Sequence, residues 1–154
     1  MKLLTVLSKF GKKLKPFFDL KIENFEDVLS IALGIGVFAI VVFQAAYMDI
    51  TYDEAYTYMN TGRIQDVWKI YQFRIANTHV LNSLLMTVTT LLFPYNDFAI
   101  RLPAVLLAGF YIPTAISFSK KTQNRLIFLG LLLLFYYFTM YLSVARGYGM
   151  SAAF

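Results

Sequence analysis

Two adjacent carboxylates, Asp53 and Glu54, stand just beyond an uncharged run, Val28 to Tyr47. If that run crosses a bilayer, the pair sits at a membrane surface, where an ionisable group faces water, a partner charge or a functional site and not lipid. The same residues carry an ordinary structural reading. Thr51 and Glu54 have the Thr-x-x-Glu spacing of a helix capping box, which would put Asp53 in a first turn, where the helix dipole favours negative charge.

Three further residues could join them. His79 is the only histidine in the chain, placed where a helix should start. Such a residue serves as a ligand or as a hydrogen-bonded surface group. Arg146 follows the uncharged run Leu126 to Ala145. A guanidinium there can grip a phosphate bidentately or simply anchor a span at the interface. Arg101 precedes a third uncharged run and has the same two roles open to it.

The elements that must position these groups are membrane elements. The 154 residues are 58% hydrophobic and 15% charged. Soluble domains have a quarter or so of their residues charged, and this composition points instead to an integral membrane protein with no role in nucleic-acid binding. There is no cysteine, which excludes disulfides and thiolate metal sites. Six of the 14 basic residues precede the first apolar run (Lys2, Lys9, Lys12, Lys13, Lys15 and Lys21), a placement that suits anionic lipid headgroups.

Residues 1–27 read as a basic cytoplasmic segment with an amphipathic helix over 1–18, and 28–47 as an uncleaved first span. Residues 48–101 form a long loop with two membrane-surface helices. One repeats Ile64, Val67, Trp68 and Tyr71 at helical spacing, with a tryptophan suited to the headgroup layer. The other, Val80 to Phe93, has about 14 residues and reaches about 21 Å, too short for a hydrocarbon core of about 30 Å. Its apolar residues (Val80, Leu81, Leu84, Leu85, Val88, Leu91, Leu92) share one face, and Asn82, Ser83, Thr87 and Thr90 take the other. A second span is expected over 102–119, with Pro103 in its first turn and Pro113 in its interior. A basic loop, 120–125, leads to a third span, 126–145, and residues 146–154 begin the next loop or helix.

Charge orients this arrangement. Basic residues crowd the positions before Val28 and the loop Lys120, Lys121, Arg125, and are sparse between Met48 and Arg101. An inner-membrane protein with a cytoplasmic N-terminus is therefore expected. Asp53, Glu54, His79, Arg101 and Arg146 then share the extracytoplasmic side.

In this order, Asp53-Glu54, Asn77-Thr78-His79-Val80-Leu81, Phe98-Ala99-Ile100-Arg101-Leu102-Pro103-Ala104 and Ala145-Arg146-Gly147-Tyr148, the chain resembles the N-terminal part of the GT-C membrane glycosyltransferases. It is most similar to the bacterial protein O-mannosyltransferase-like and lipid A aminoarabinose transferase-like members. The resemblance runs from about Asp49 to Phe154, and departs from the family at Val80, where proline is usual. It implies that this all-α membrane protein, with the three spans read above, is a fragment of a larger GT-C bundle, the remaining part of the same enzyme being its partner.

It also implies a chemistry. A sugar carried as a polyprenyl-phosphate ester already has a good leaving group, so one base and stabilisation of the phosphate suffice, unlike glycoside hydrolysis with its two carboxylates. The resemblance makes Asp53 the general base that deprotonates an acceptor hydroxyl or amine, with inversion at the sugar. Glu54 either supports Asp53 or, with His79, holds a divalent metal ion. His79, Arg101 and Arg146 are the candidate phosphate ligands, with Arg101 equally suited to pairing with a loop carboxylate. The alternative expectation is a non-catalytic small membrane protein or a degenerate remnant that keeps the scaffold.

Overall fold

A computed structural model describes residues 20–61, 80–94, 96–135, 140 and 142–144; the expected amphipathic helices within 1–18 and around Trp68, together with His79 and Arg146, lie outside them. Among the described residues the fold is all-helical: α1 (Phe25–Tyr47), α2 (Tyr52–Thr61), α3 (Val80–Leu92), α4 (Asp97–Ser119) and α5 (Arg125–Leu134). α4 is the hub, packed against α1, α3 and α5, while α1 also touches α5 and α2 rests on α3.

α1 begins before its apolar run because Asn24 caps it. The Asn24 carboxamide oxygen accepts from the Asp27 N–H at 3.0 Å, and Asp27 Oδ2 accepts in return from the N–H groups of Glu23 and Asn24, at 2.8 and 3.0 Å. This reciprocal arrangement satisfies donors that the first turn would otherwise leave open. α4 likewise starts earlier than its uncharged run, at Asp97, with the Asn96 side chain accepting from the Phe98 N–H at 2.9 Å. Each of these two helices has 23 residues, and among the described residues they are the two long and apolar enough to cross a membrane. A helix of that length rises about 34 Å, against a hydrocarbon core of about 30 Å.

The early start of α4 moves Pro103 from the expected first turn into the helix interior. Proline has no N–H, so the carbonyl four residues back, that of Ala99, loses its helical donor. The Thr89 hydroxyl of α3 fills the vacancy, donating to the Ala99 oxygen at 2.7 Å. α3 is thereby hydrogen-bonded to the weak point of α4.

α3 has the two expected faces, and the polar one is turned inward. Asn82, Ser83, Thr87 and Thr89 are buried with Met86, whereas Val80, Leu81, Leu84, Leu85, Val88, Leu91 and Leu92 are all exposed. The helix has 13 residues, a rise of about 20 Å.

Between α1 and α4 the core is built on small residues. A Cβ on Gly34 would come within 2.7 Å of Ile116 Cδ1 and 3.0 Å of Ile112 Cγ2. A side chain there would force Ile116 and Ile112 to shift, so glycine gives α4 its close approach, the usual function of small residues between apolar helices. Val37, Val41, Ala45, Ala108 and Ala115 continue the contact, and Leu129 and Leu133 of α5 complete the cluster. α5 differs from expectation. It has 10 residues and ends at Leu134 with Phe135 extended, so a continuous helix over 126–145 is not observed. Its rise is about 15 Å. Met140, Leu142 and Ser143 are again helical, and Leu142 joins the core.

Candidate functional site

The Thr-x-x-Glu spacing at the start of α2 folds as a capping box. The Glu54 N–H donates to Thr51 Oγ1 at 3.4 Å, and Glu54 Oε2 accepts from the Thr51 N–H and hydroxyl at 2.9 and 3.0 Å. Glu54 is 0% exposed, and a buried carboxylate needs a charge partner. Arg101 supplies it from α4: Nε donates to Oε1 and Nη2 to Oε2, both at 2.8 Å. This is the side-on bidentate form of the pair.

The rest of the Arg101 guanidinium closes the turn after α1. Nη1 donates to the carbonyls of Ala45 and Met48, at 3.3 and 2.6 Å, and Nη2 to that of Asp49, at 2.7 Å. A guanidinium has five N–H donors, and five acceptors meet them here. Of the two roles open to Arg101, the structure gives the pairing with a loop carboxylate; at 2% exposure it keeps no donor for a phosphate. Glu54 is equally committed. Both Glu54 oxygens are already engaged by Arg101 and Thr51, and His79, the other expected metal ligand, lies outside the described residues. Among the described residues no three His, Asp or Glu side chains converge on a metal position.

Asp53, the other member of the pair, is not among the acceptors of Arg101. Lying in the first turn of α2, it is half-buried, and its backbone oxygen accepts from Thr57 Oγ1 at 2.8 Å. On the same helix the rings of Tyr52 and Tyr56 stack with their centres 6.3 Å apart. Beneath, Ile50 and Tyr58 pack on Met86 of α3 and Ile100 of α4, which fixes α2 against the two helices behind it. The arrangement therefore separates two neighbouring carboxylates: one is neutralised within the scaffold, and the other is held at a rigid helix start.

A second charged centre, which in the sequence reads only as a topology signal, lies at the other end of α1, about 27 Å from Ala45 by helical rise. Asp27 is 2% exposed, and its Oδ1 meets Arg125 Nη1 at 2.6 Å and Lys120 Nζ at 3.2 Å. Lys120 also donates to the Lys21 carbonyl at 2.6 Å. Arg125 is 7% exposed, and its Nε and Nη2 have no hydrogen-bond partner. The available signal was an aspartate opening one apolar run and an arginine opening another.

No family model matches this chain, and neither a curated protein nor a solved structure matches it.

Proposed function

We propose that the chain is the donor-loop end of an inverting membrane glycosyltransferase that takes sugar from a polyprenyl phosphate, with Asp53 as the base acting on an acceptor hydroxyl or amine. The observation that carries this reading is the division of labour at the start of α2. Glu54, locked to Arg101, fixes the helix start, and Asp53 lies half-buried in the same first turn, outside the set of Arg101 acceptors. That is the setting in which a carboxylate can take a proton from a bound nucleophile. The order of the sequence motifs supports the substrate class. Arg146 and His79 remain the proposed phosphate ligands, and the reaction as drawn needs no metal.

The membrane reading has its own support. Two helices are long and apolar enough to span, and the outward faces of α1 and α3 are lined with large apolar side chains. This inside-out pattern suits lipid and not water. We propose an inner-membrane location with the N-terminus cytoplasmic and the Asp53 end of the bundle outside, with α1 and α4 as crossings and α5, continued beyond its break by the helical residues Met140, Leu142 and Ser143, as the third.

The test is Asp53→Asn in the full-length gene product, assayed for sugar transfer from a polyprenyl-phosphate donor. Asparagine caps a helix about as well as aspartate, so folding should survive, while turnover should fall roughly 100-fold to 10,000-fold with donor binding little changed. Normal turnover in a folded Asp53→Asn protein would remove Asp53 from the reaction. It would favour the scaffold-only alternative, which the complete internal pairing of Glu54 and Arg101 also fits. Three spans are too few for a groove around a long polyprenyl tail, so the 154-residue chain alone should transfer no sugar.

A further inference from the structure

An apolar cavity of about 380 Å³ opens between α1 and α4, lined by Leu20, Ile31, Phe38, Gly109, Ile112 and Ile116 among others. That volume lies within the roughly 300–1,000 Å³ typical of small-ligand sites. Its lining is apolar throughout, and its Leu20 and Ile116 end comes within about one helical turn of the Asp27 centre. Ile116 is one helical turn before Lys120, whose N–H bonds the Ile116 carbonyl at 3.3 Å, and Leu20 adjoins Lys21, whose carbonyl holds the Lys120 ammonium. Charge at this end is basic by a small margin: Lys21, Lys120, Lys121 and Arg125 stand against Glu23, Glu26 and Asp27, and of these carboxylates only that of Asp27 is buried against Lys120 and Arg125, while Glu23 and Glu26 are exposed.

The guanidinium of Arg125 is also incompletely used. Only Nη1 is engaged; the Nε–Nη2 edge, the one with which Arg101 holds Glu54, is buried and without an acceptor. Leaving such donors unpaired costs about 1–3 kcal/mol, more for a charged group, so an acceptor with two oxygens, such as a phosphate, would suit this edge.

We propose that this groove and its basic end form a binding site for one anionic phospholipid, an acyl chain lying along Phe38 and Gly109 and the phosphate meeting Lys120, Lys121 and the Arg125 edge. The proposal rests on the membrane reading above but not on catalysis. Charge complementarity selects the occupant: a neutral, zwitterionic lipid brings its own cation to a place already rich in them.

The 154-residue chain, purified in a neutral detergent, is titrated with phosphatidylglycerol or phosphatidylcholine, and bound lipid is counted by native mass spectrometry. The first phosphatidylglycerol should bind at least tenfold more tightly than the first phosphatidylcholine. Lys120→Gln with Lys121→Gln should abolish that preference, and Arg125→Lys, which keeps a cation for Asp27 but removes the bidentate edge, should weaken it severalfold. Gly109→Leu should reduce binding of both lipids by filling the groove: a Cβ there meets nothing nearer than Phe38 at 3.7 Å, so the fold can accept it. Gly36→Leu, on an open face with nothing within 4 Å, is the control and should change nothing. Equal affinity for the two lipids overturns the proposal, as does a preference that survives the lysine and arginine changes or is untouched by Gly109→Leu. Binding that appears only after deletion of residues 1–18 overturns it as well, and assigns the groove to the chain's own leading segment. A chain that stays monodisperse without detergent rejects the membrane reading itself, which separates the two failures.

Discussion

The two ends of the bundle solve the same problem, a buried arginine, in different ways. At Arg101 every donor meets an acceptor, and charge is matched one to one by Glu54. At Arg125 a single donor is engaged, and the one carboxylate, Asp27, is shared with Lys120. A saturated arginine is a structural clamp: it joins the end of α1, the turn at Asp49 and the start of α2 to α4, and has nothing left to bind. An unsaturated one is a place where something else can arrive. The difference shows that burial and charge alone do not mark a ligand site, because both arginines are hidden; the tally of unmet donors distinguishes them.

The sharpest way to break this comparison is to ask whether the two ends are in different compartments. The chain has no cysteine, so single cysteines introduced at Asn60 and Asn96, near the Arg101 end, should be labelled from outside intact cells, while one at Thr122, near Arg125, should be fully protected. Labelling of all three, or protection of Asn96 alone, would rule out the proposed three-span arrangement.

The next largest effect is on stability, read by unfolding in detergent. Glu54→Gln leaves a buried guanidinium without its counter-charge and should cost about 3–5 kcal/mol, as is usual when one member of a buried pair is removed. Asp27→Asn should cost a similar amount: its amide oxygen can still accept from the Glu23 and Asn24 N–H groups, but its NH2 then faces Arg125 Nη1, and Arg125, 7% exposed, loses its one acceptor. A clearly smaller cost would mean that Arg125 reaches water or another acceptor once Asp27 is neutralised.

The smallest effect is at the α3–α4 contact. Thr89→Val removes the donor to the Ala99 carbonyl and should cost about 1 kcal/mol. Against a Pro103→Ala background, where the helix supplies its own N–H to that carbonyl, the same change should be nearly silent, and the coupling is read from the double-mutant cycle.

Much of the Arg101 end was legible in the sequence because its signals are local or ordered. Thr51 and Glu54 announce a cap by spacing, and the motif order offered Arg101 a loop carboxylate as partner. The Arg125 end was not legible, because Asp27 and Arg125 are 98 residues apart and a basic loop reads first as a topology signal. For α3, periodicity separates two faces but is symmetric about which one faces the protein; the inward turn of Asn82, Ser83 and Thr87 depends on the solvent outside. The end of α5 at Leu134 has no Gly or Pro to announce it, and the start of α4 at Asp97 was hidden because the uncharged run begins only after Arg101.

The inverted face of α3 bears on the order in which the chain can enter a membrane. Alone in hydrocarbon, this helix would expose Asn82 and the hydroxyls of Ser83, Thr87 and Thr89 to lipid, and alone it is too short to reach across. α4 by itself would carry a carbonyl at Ala99 with no donor. Each segment removes the other's defect, through Thr89 and the packed polar face, so on the proposed membrane reading the two settle together, α4 across the bilayer and α3 along its surface. A nascent chain that has released α3 but not yet α4 should therefore hold α3 loosely, and its polar face should be sheltered only once α4, through Ser119, has emerged.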